Sequence, residues 1–217
     1  PDYFNEDGQV WGNPLYDYDR MAADGYGWWI RRLEGASRLF DVVRIDHFRG
    51  LESYWAVPYG EKTAKNGRWR KGPGMALVGG LTGWFPQLRM IAEDLGFLTP
   101  EVRQLLSDSG LPGMKVLQFA FDPREPSSYL PHTYDRRCVC YAGTHDNETL
   151  CQWEECAPEE SLAFAREYLG LGEEQRLNWG ILRAGMASVA DTFIAPLQDY
   201  LELGAEGRMN EPGTSQG

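Results

Sequence analysis

No apolar run in this 217-residue chain approaches the ~18–20 positions that a membrane-spanning helix needs. The opening PDYFNEDGQ has none of the features of a secretory leader, so a soluble protein is expected. Positive charge is also scarce. Against 32 Asp and Glu stand 21 Lys and Arg, a formal charge of -11. That balance disfavours nucleic acid or an anionic membrane surface as partner and leaves a neutral or cationic ligand. Cysteine is limited to Cys138, Cys140, Cys151 and Cys156, and neither pair has the CxxC spacing of a metal knuckle. Two alternate on an expected strand and two fall in an expected helix, the pattern of ordinary reduced thiols rather than zinc ligands. The chain has no internal repeat and no low-complexity tract.

Aromatic residues, by contrast, are plentiful. They make up 13% of the chain, with eight tryptophans, which suits packing and also a site that stacks on flat ligand faces such as sugar rings. Apolar runs at 39–46, 88–94, 114–121 and 138–146 read as strands. Helical patterning separates or follows them. TPEVRQLLSDSG carries a threonine N-cap, a proline in the first turn and a closing glycine. Residues 159–190 are helical in pattern, and 193–201 read as a short strand running into a helix. This order predicts a parallel α/β fold. The charged, glycine-rich YGEKTAKNGRWRKGPG at 59–74 reads as a long surface loop.

The strand ends keep a regular spacing. Glu93 and Phe119 lie 26 positions apart, and Phe119 and Asp146 lie 27 apart, about one strand-helix unit each. Asp46 precedes Glu93 by 47, a unit enlarged by the 59–74 segment. In such folds the carboxyl ends of the strands form the functional face, so Asp46, Glu93 and Asp146 are expected to converge there. Glycoside chemistry requires two carboxylates, one attacking or stabilising the anomeric carbon and one donating a proton to the leaving oxygen. Strand alternation in VVRIDHFRG puts Arg44 and Asp46 on one face. A guanidinium beside it suits a carboxylate acting as nucleophile, although an Arg-Asp pair at a strand end also fits a purely structural role. For the second carboxylate, alternation leaves Glu93 and Asp94 both open.

VVRIDHFRG, YWAVP, IAEDLGFLTPEVRQLL, GMKVLQFAF, AGTHDNETL, RMNEPGTSQG and the opening YFNEDGQVWGNPLYDYD together resemble the 4-alpha-glucanotransferases of glycoside hydrolase family 77. The blocks run in family order across essentially the whole chain. The resemblance implies part of a (β/α)8 TIM barrel, about strands 4 to 8, with long inserted loops. Residues 1–217 are then one partial catalytic barrel domain, with the first strands and the extreme C-terminus outside it. It also assigns roles. Asp46 matches the nucleophile, Glu93 the general acid/base and Asp146 the third carboxylate that holds the distorted sugar. Arg44 and His145 match residues contacting the reactive sugar; Trp11 and Asn13 match a loop covering the glucan, and Asn210 a loop opposite. Gln118 and Phe119 lie where the family lines its subsites. No metal and no organic cofactor are implied. The implied partners are α-1,4-glucan donors and acceptors, maltooligosaccharides or amylose, and the implied location is cytoplasmic, or plastidic in a plant or alga. Glu148 stands where the family more often has aspartate. The competing expectations are an α-glucan hydrolase or branching enzyme on a related barrel, and a non-catalytic glucan-binding fragment.

Overall fold

The computed structural model describes residues 7–8, 10, 12–96, 98–124, 127–212 and 214. The chain divides into two compact units, Pro1–Pro112 and Gly113–Gly217, both of mixed α/β structure.

In the first unit, helices α1 (Tyr18–Ala23) and α2 (Gly27–Ser37) precede strand β1 (Val42–Ile45). Strands β2 (Ser53–Ala56) and β3 (Arg68–Lys71), helix α3 (Gly74–Trp84), strand β4 (Arg89–Ala92) and helix α4 (Pro100–Ser109) follow. β1 and β4 pair in parallel, with Val42 opposite Arg89 and Ile45 opposite Ala92. The apolar faces of these strands and helices bury Phe48, Leu77, Val78, Leu81, Met90 and Leu105. Thr99 caps α4 by accepting the Val102 N–H, and Gly110 closes it with φ +68, a conformation that glycine adopts without cost. The expected helix is present with its expected ends.

The 59–74 segment is more ordered than its composition suggests. Arg68–Lys71 forms β3, antiparallel to β2, with Trp55 directly opposite Trp69. Their rings meet edge to face at 5.4 Å, and the Arg49 guanidinium sits 5.0 Å from the Trp69 ring centre. Lys71 pairs with the buried Glu52. Period-two alternation was hidden because every residue of β3 is exposed, so no apolar face marks it.

In the second unit, β5 (Gly113–Val116), β6 (Cys138–Tyr141) and β7 (Thr192–Ile194) form a parallel sheet in that order. Helices α5 (Leu150–Cys156), α6 (Glu159–Leu169), α7 (Leu177–Ala187) and α8 (Leu197–Tyr200) complete it. Leu117, Phe121, Cys140, Leu150, Ile181 and Leu182 form the buried centre. All four cysteines are free thiols, Cys138 and Cys140 buried on β6 and Cys151 and Cys156 on α5.

Strands are shorter than the apolar runs that announce them. Leu39 and Phe40 lie in the turn just after α2, their N–H groups both donating to the Ala36 carbonyl, and are exposed. Leu117–Phe119 leaves β5 as a 3-10 turn, so Phe119 sits beyond the strand. Hydrophobicity alone does not mark where a strand turns away. Among the described residues, no helix is long and apolar enough to cross a membrane.

Candidate functional site

In the first unit, parallel pairing sets the register of the two carboxylates the sequence singles out. Ile45 lies opposite Ala92, so Asp46 and Glu93 are the next residues at the same, C-terminal edge of β1 and β4. Three hydrogen bonds between the two strand ends clip this edge together, and a fourth, from Leu95, is local to Glu93. The Glu93 N–H donates to the Ile45 carbonyl at 2.9 Å, and the Phe48 N–H to the Glu93 carbonyl at 3.0 Å. The Glu93 carboxylate accepts the His47 N–H at 2.7 Å and, through its other oxygen, the Leu95 N–H at 2.9 Å. His47 turns the chain here with φ 47, unusual for a side chain-bearing residue. The Asp94 side chain is buried while Glu93 is only partly so, which separates the two candidates that alternation left open.

Arg44 and Asp46 share one face, as alternation requires, and their side chains pair at 2.5 Å. Asp46 is 76% exposed and Arg44 27%, so the aspartate faces solvent with the guanidinium behind it. The buried Arg44 Nε has no hydrogen-bond partner among the described residues. Both side chains line a cavity of about 410 Å3 with Asn13, His47, Tyr16, Tyr18, Trp29 and Tyr54. Asn13 therefore joins Arg44 and Asp46. Trp11 lies outside the described residues. The aromatic wall was largely missed in sequence. Tyr16 packs with tilted rings at 5.3–5.4 Å against Trp28 and Trp29, and Tyr18 likewise at 6.0 Å against Tyr54. Alternation in NPLYDYD, with Tyr16 and Tyr18 two apart, was the available signal. Burial among these rings pushes the Tyr18 hydroxyl up to about 12.

In the second unit, the loop after β6 gathers the other predicted residues. His145 and Asp146 are adjacent, with Nε2 to Oδ2 at 3.4 Å. The Asn210 side-chain amide donates to Asp146 Oδ1 at 2.9 Å and to the His145 carbonyl at 3.1 Å. Residues 64 positions apart in the sequence are thus joined. Thr149, not Asp146, caps the following helix, accepting the Gln152 N–H at 3.1 Å, so the Asp146 carboxylate is free of that duty. Gln118 is buried and donates to the Glu148 carbonyl at 3.1 Å, bracing the same loop from below. Phe119 is exposed and meets Tyr129 edge to face at 5.8 Å. Arg208, which no sequence argument singled out, donates to the carbonyls of Asn210 and Asp146. Among the described residues, no cluster of His, Cys, Asp or Glu is arranged to hold a metal ion.

An exposed carboxylate lining a cavity walled by aromatic rings, with a half-buried carboxylate at the neighbouring strand end, is an arrangement able to act on a sugar. The family model described as 4-alpha-glucanotransferase, glycoside hydrolase family 77, matches residues 1–217. The chain belongs to this family. Among curated relatives, the 4-alpha-glucanotransferase of Clostridium butyricum is 47% identical over 215 residues, covering 99% of this chain and 44% of that protein. The Thermus thermophilus 4-alpha-glucanotransferase is 49% identical over 224 residues, covering 100% of this chain and 45% of that protein. Among solved structures, the amylomaltase of Streptococcus agalactiae in complex with acarbose superposes with a TM-score of 0.92 at 37% identity. That match covers 99% of this chain and 44% of the amylomaltase chain. The chain thus spans a little under half the length of each of these three relatives.

Proposed function

We propose that this chain carries the catalytic carboxylates of a 4-alpha-glucanotransferase, which transfers segments between α-1,4-glucans by a retaining double displacement. The observation that carries the reading is the clip at the ends of β1 and β4, which sets Asp46 and Glu93 side by side on one strand edge. Family membership along the whole chain supports the substrate class. In this reading, residues 1–217 form one partial catalytic barrel domain, with β1, β4, β5, β6 and β7 as about strands 4 to 8 of a (β/α)8 barrel.

The Asp46 carboxylate attacks the anomeric carbon, and the bond from that carbon to the leaving 4-oxygen breaks as Glu93 gives that oxygen its proton. A glucosyl ester on Asp46 and a shortened glucan result. In the second step Glu93 removes the proton from the 4-hydroxyl of an acceptor glucan, that oxygen attacks the anomeric carbon, and Asp46 leaves as the carboxylate. Two inversions return the α-linkage. Arg44 holds Asp46 in place between the steps. Asp146 takes the role of the third carboxylate, contacting the distorted sugar together with His145. Asn13, Trp11, Asn210, Gln118 and Phe119 serve as glucan contacts, and no cofactor enters the chemistry. Transfer rather than hydrolysis requires an acceptor to outcompete water, for which the aromatic wall formed by Tyr16, Trp29 and Tyr54 offers dry stacking faces.

Maltotriose tests the reading. Full-length protein containing this chain should yield glucose together with longer maltooligosaccharides and no net gain in reducing ends. A net gain would make it a hydrolase. Acarbose, the ligand of the Streptococcus agalactiae amylomaltase structure, should compete. Glucan binding without turnover would instead leave only a binding module.

A further inference from the structure

Arg208 follows a 3-10 turn, Ala205–Gly207, in a stretch that has no strand to hold it. Its guanidinium nevertheless engages three acceptors. Nε donates to the Asn210 carbonyl at 3.0 Å, Nη2 donates to the Asp146 carbonyl at 3.3 Å, and Nη1 lies 3.8 Å from Glu148 Oε1. The side chain is 17% exposed, so it is enclosed by the residues it joins rather than presented to a ligand. We propose that Arg208 is a positioning residue that sets the orientation of the Asp146 carboxylate through Asn210.

The geometry carries this as follows. Asn210 can donate to Asp146 Oδ1 only while the two main chains keep their separation, and Arg208 bonds to the carbonyl of each of them. The second bond from Asn210, to the His145 carbonyl, then fixes the amide plane and with it the direction from which Asp146 is held. Glu148 adds a charged anchor on the far side of the same turn. A planar fork meets acceptors in three directions at once, which the single ammonium of lysine does not reproduce. Arg208 acts through Asp146 and touches no reacting atom.

The inference rests on the reading of Asp146 as a catalytic-site carboxylate, and its test separates the two. In full-length protein acting on maltotriose, Arg208→Lys should lower kcat about 10-fold and Arg208→Ala about 100-fold, the scale of a misplaced catalytic group, with KM nearly unchanged. Added guanidinium ion should restore part of the Arg208→Ala loss. The side-chain amide resonances of Asn210 should shift in Arg208→Lys, because the bond to Asp146 loosens. Wild-type kcat in Arg208→Lys, or a kcat loss with the Asn210 resonances unmoved, overturns the proposal; should Arg208→Ala not fold, Arg208→Lys decides. If wild-type protein transfers no glucan, the functional reading falls, and the Asn210 resonances alone decide whether Arg208 orients Asp146.

Discussion

The Glu93 carboxylate accepts the backbone N–H of His47 at 2.7 Å, tying the residue after Asp46 to the strand that carries Glu93. The two carboxylates are therefore held by one another's neighbourhood and not by separate loops. Sites built on paired strands keep their geometry better than sites on free loops.

Replacing Asp46 with asparagine in the full-length protein removes the proposed nucleophile while leaving the cavity and Arg44 in place. Turnover of maltotriose should fall by at least about 10,000-fold, the scale of losing a nucleophile. Acarbose binding, followed by tryptophan fluorescence, should persist. Near-normal turnover would show that another group attacks the sugar.

Glu93→Gln has two effects, because Glu93 accepts two backbone N–H groups through its two oxygens. A glutamine has one carbonyl oxygen, so its NH2 must face one of those donors. Thermal unfolding should occur at lower temperature, in line with about 1–3 kcal/mol for an unsatisfied partner where the site is dry. Turnover of natural glucans should fall by about 100–10,000-fold, the usual worth of a general acid. A glucosyl fluoride donor, whose leaving group needs no proton, should be spared in the first step. Equal losses on both donors would remove Glu93 from the acid role.

Gly72 closes the β2–β3 hairpin, its N–H donating to the Glu52 carbonyl at 2.7 Å. A Cβ there would lie 2.3 Å from the Leu51 carbonyl oxygen, a backbone atom that cannot swing aside. Gly72→Ala should destabilise by about 1–3 kcal/mol, the range for overpacking. The Trp55–Trp69 edge-to-face contact gives a spectroscopic check, since near-ultraviolet dichroism should weaken with it. An unchanged midpoint in urea would mean that the hairpin tolerates displacement.

Alkaline pH should destabilise the fold in a defined window. Burial pushes the Cys140 thiol from 9.0 up to about 11, and burial followed by the neighbouring Tyr16, Tyr54 and Tyr26 pushes Tyr18 from 10.0 up to about 12. Both groups hold their protons longer when folded than when unfolded. Their contribution is therefore fully present below pH 9 for Cys140 and below 10 for Tyr18, and is lost as pH rises through about 11 and about 12. The urea midpoint should decline from pH 9 upward, and Tyr18→Phe should flatten the part of the decline above pH 10. The same slope with and without the hydroxyl would remove Tyr18 as a source.

Much of the site was legible because strand chemistry is local. Alternation places Arg44 and Asp46 on one face whatever surrounds them, and the structure shows them paired. The helix at Pro100–Ser109 was equally legible, since its threonine cap, early proline and terminal glycine act within one turn. Hairpin β2–β3 was not, because an exposed strand needs no apolar period and its charges mimic a loop. Nor was Arg208, whose partners Asp146 and Glu148 lie 62 and 60 positions away and leave no spacing signal.

By itself, the sequence determined the family and singled out the candidate carboxylates, because motifs in order identify a chain without any contact being known. Only tertiary structure decided how the carboxylates are held. Whether Glu93 or its neighbour Asp94 remains accessible depends on which side of β4 packs into the core. The hydrogen bonds that clip Glu93 to His47, and Asn210 to Asp146, join residues 46 and 64 positions apart. Such bonds exist only once burial of the apolar faces has brought distant segments within reach, and that is a property of packing rather than of any local pattern.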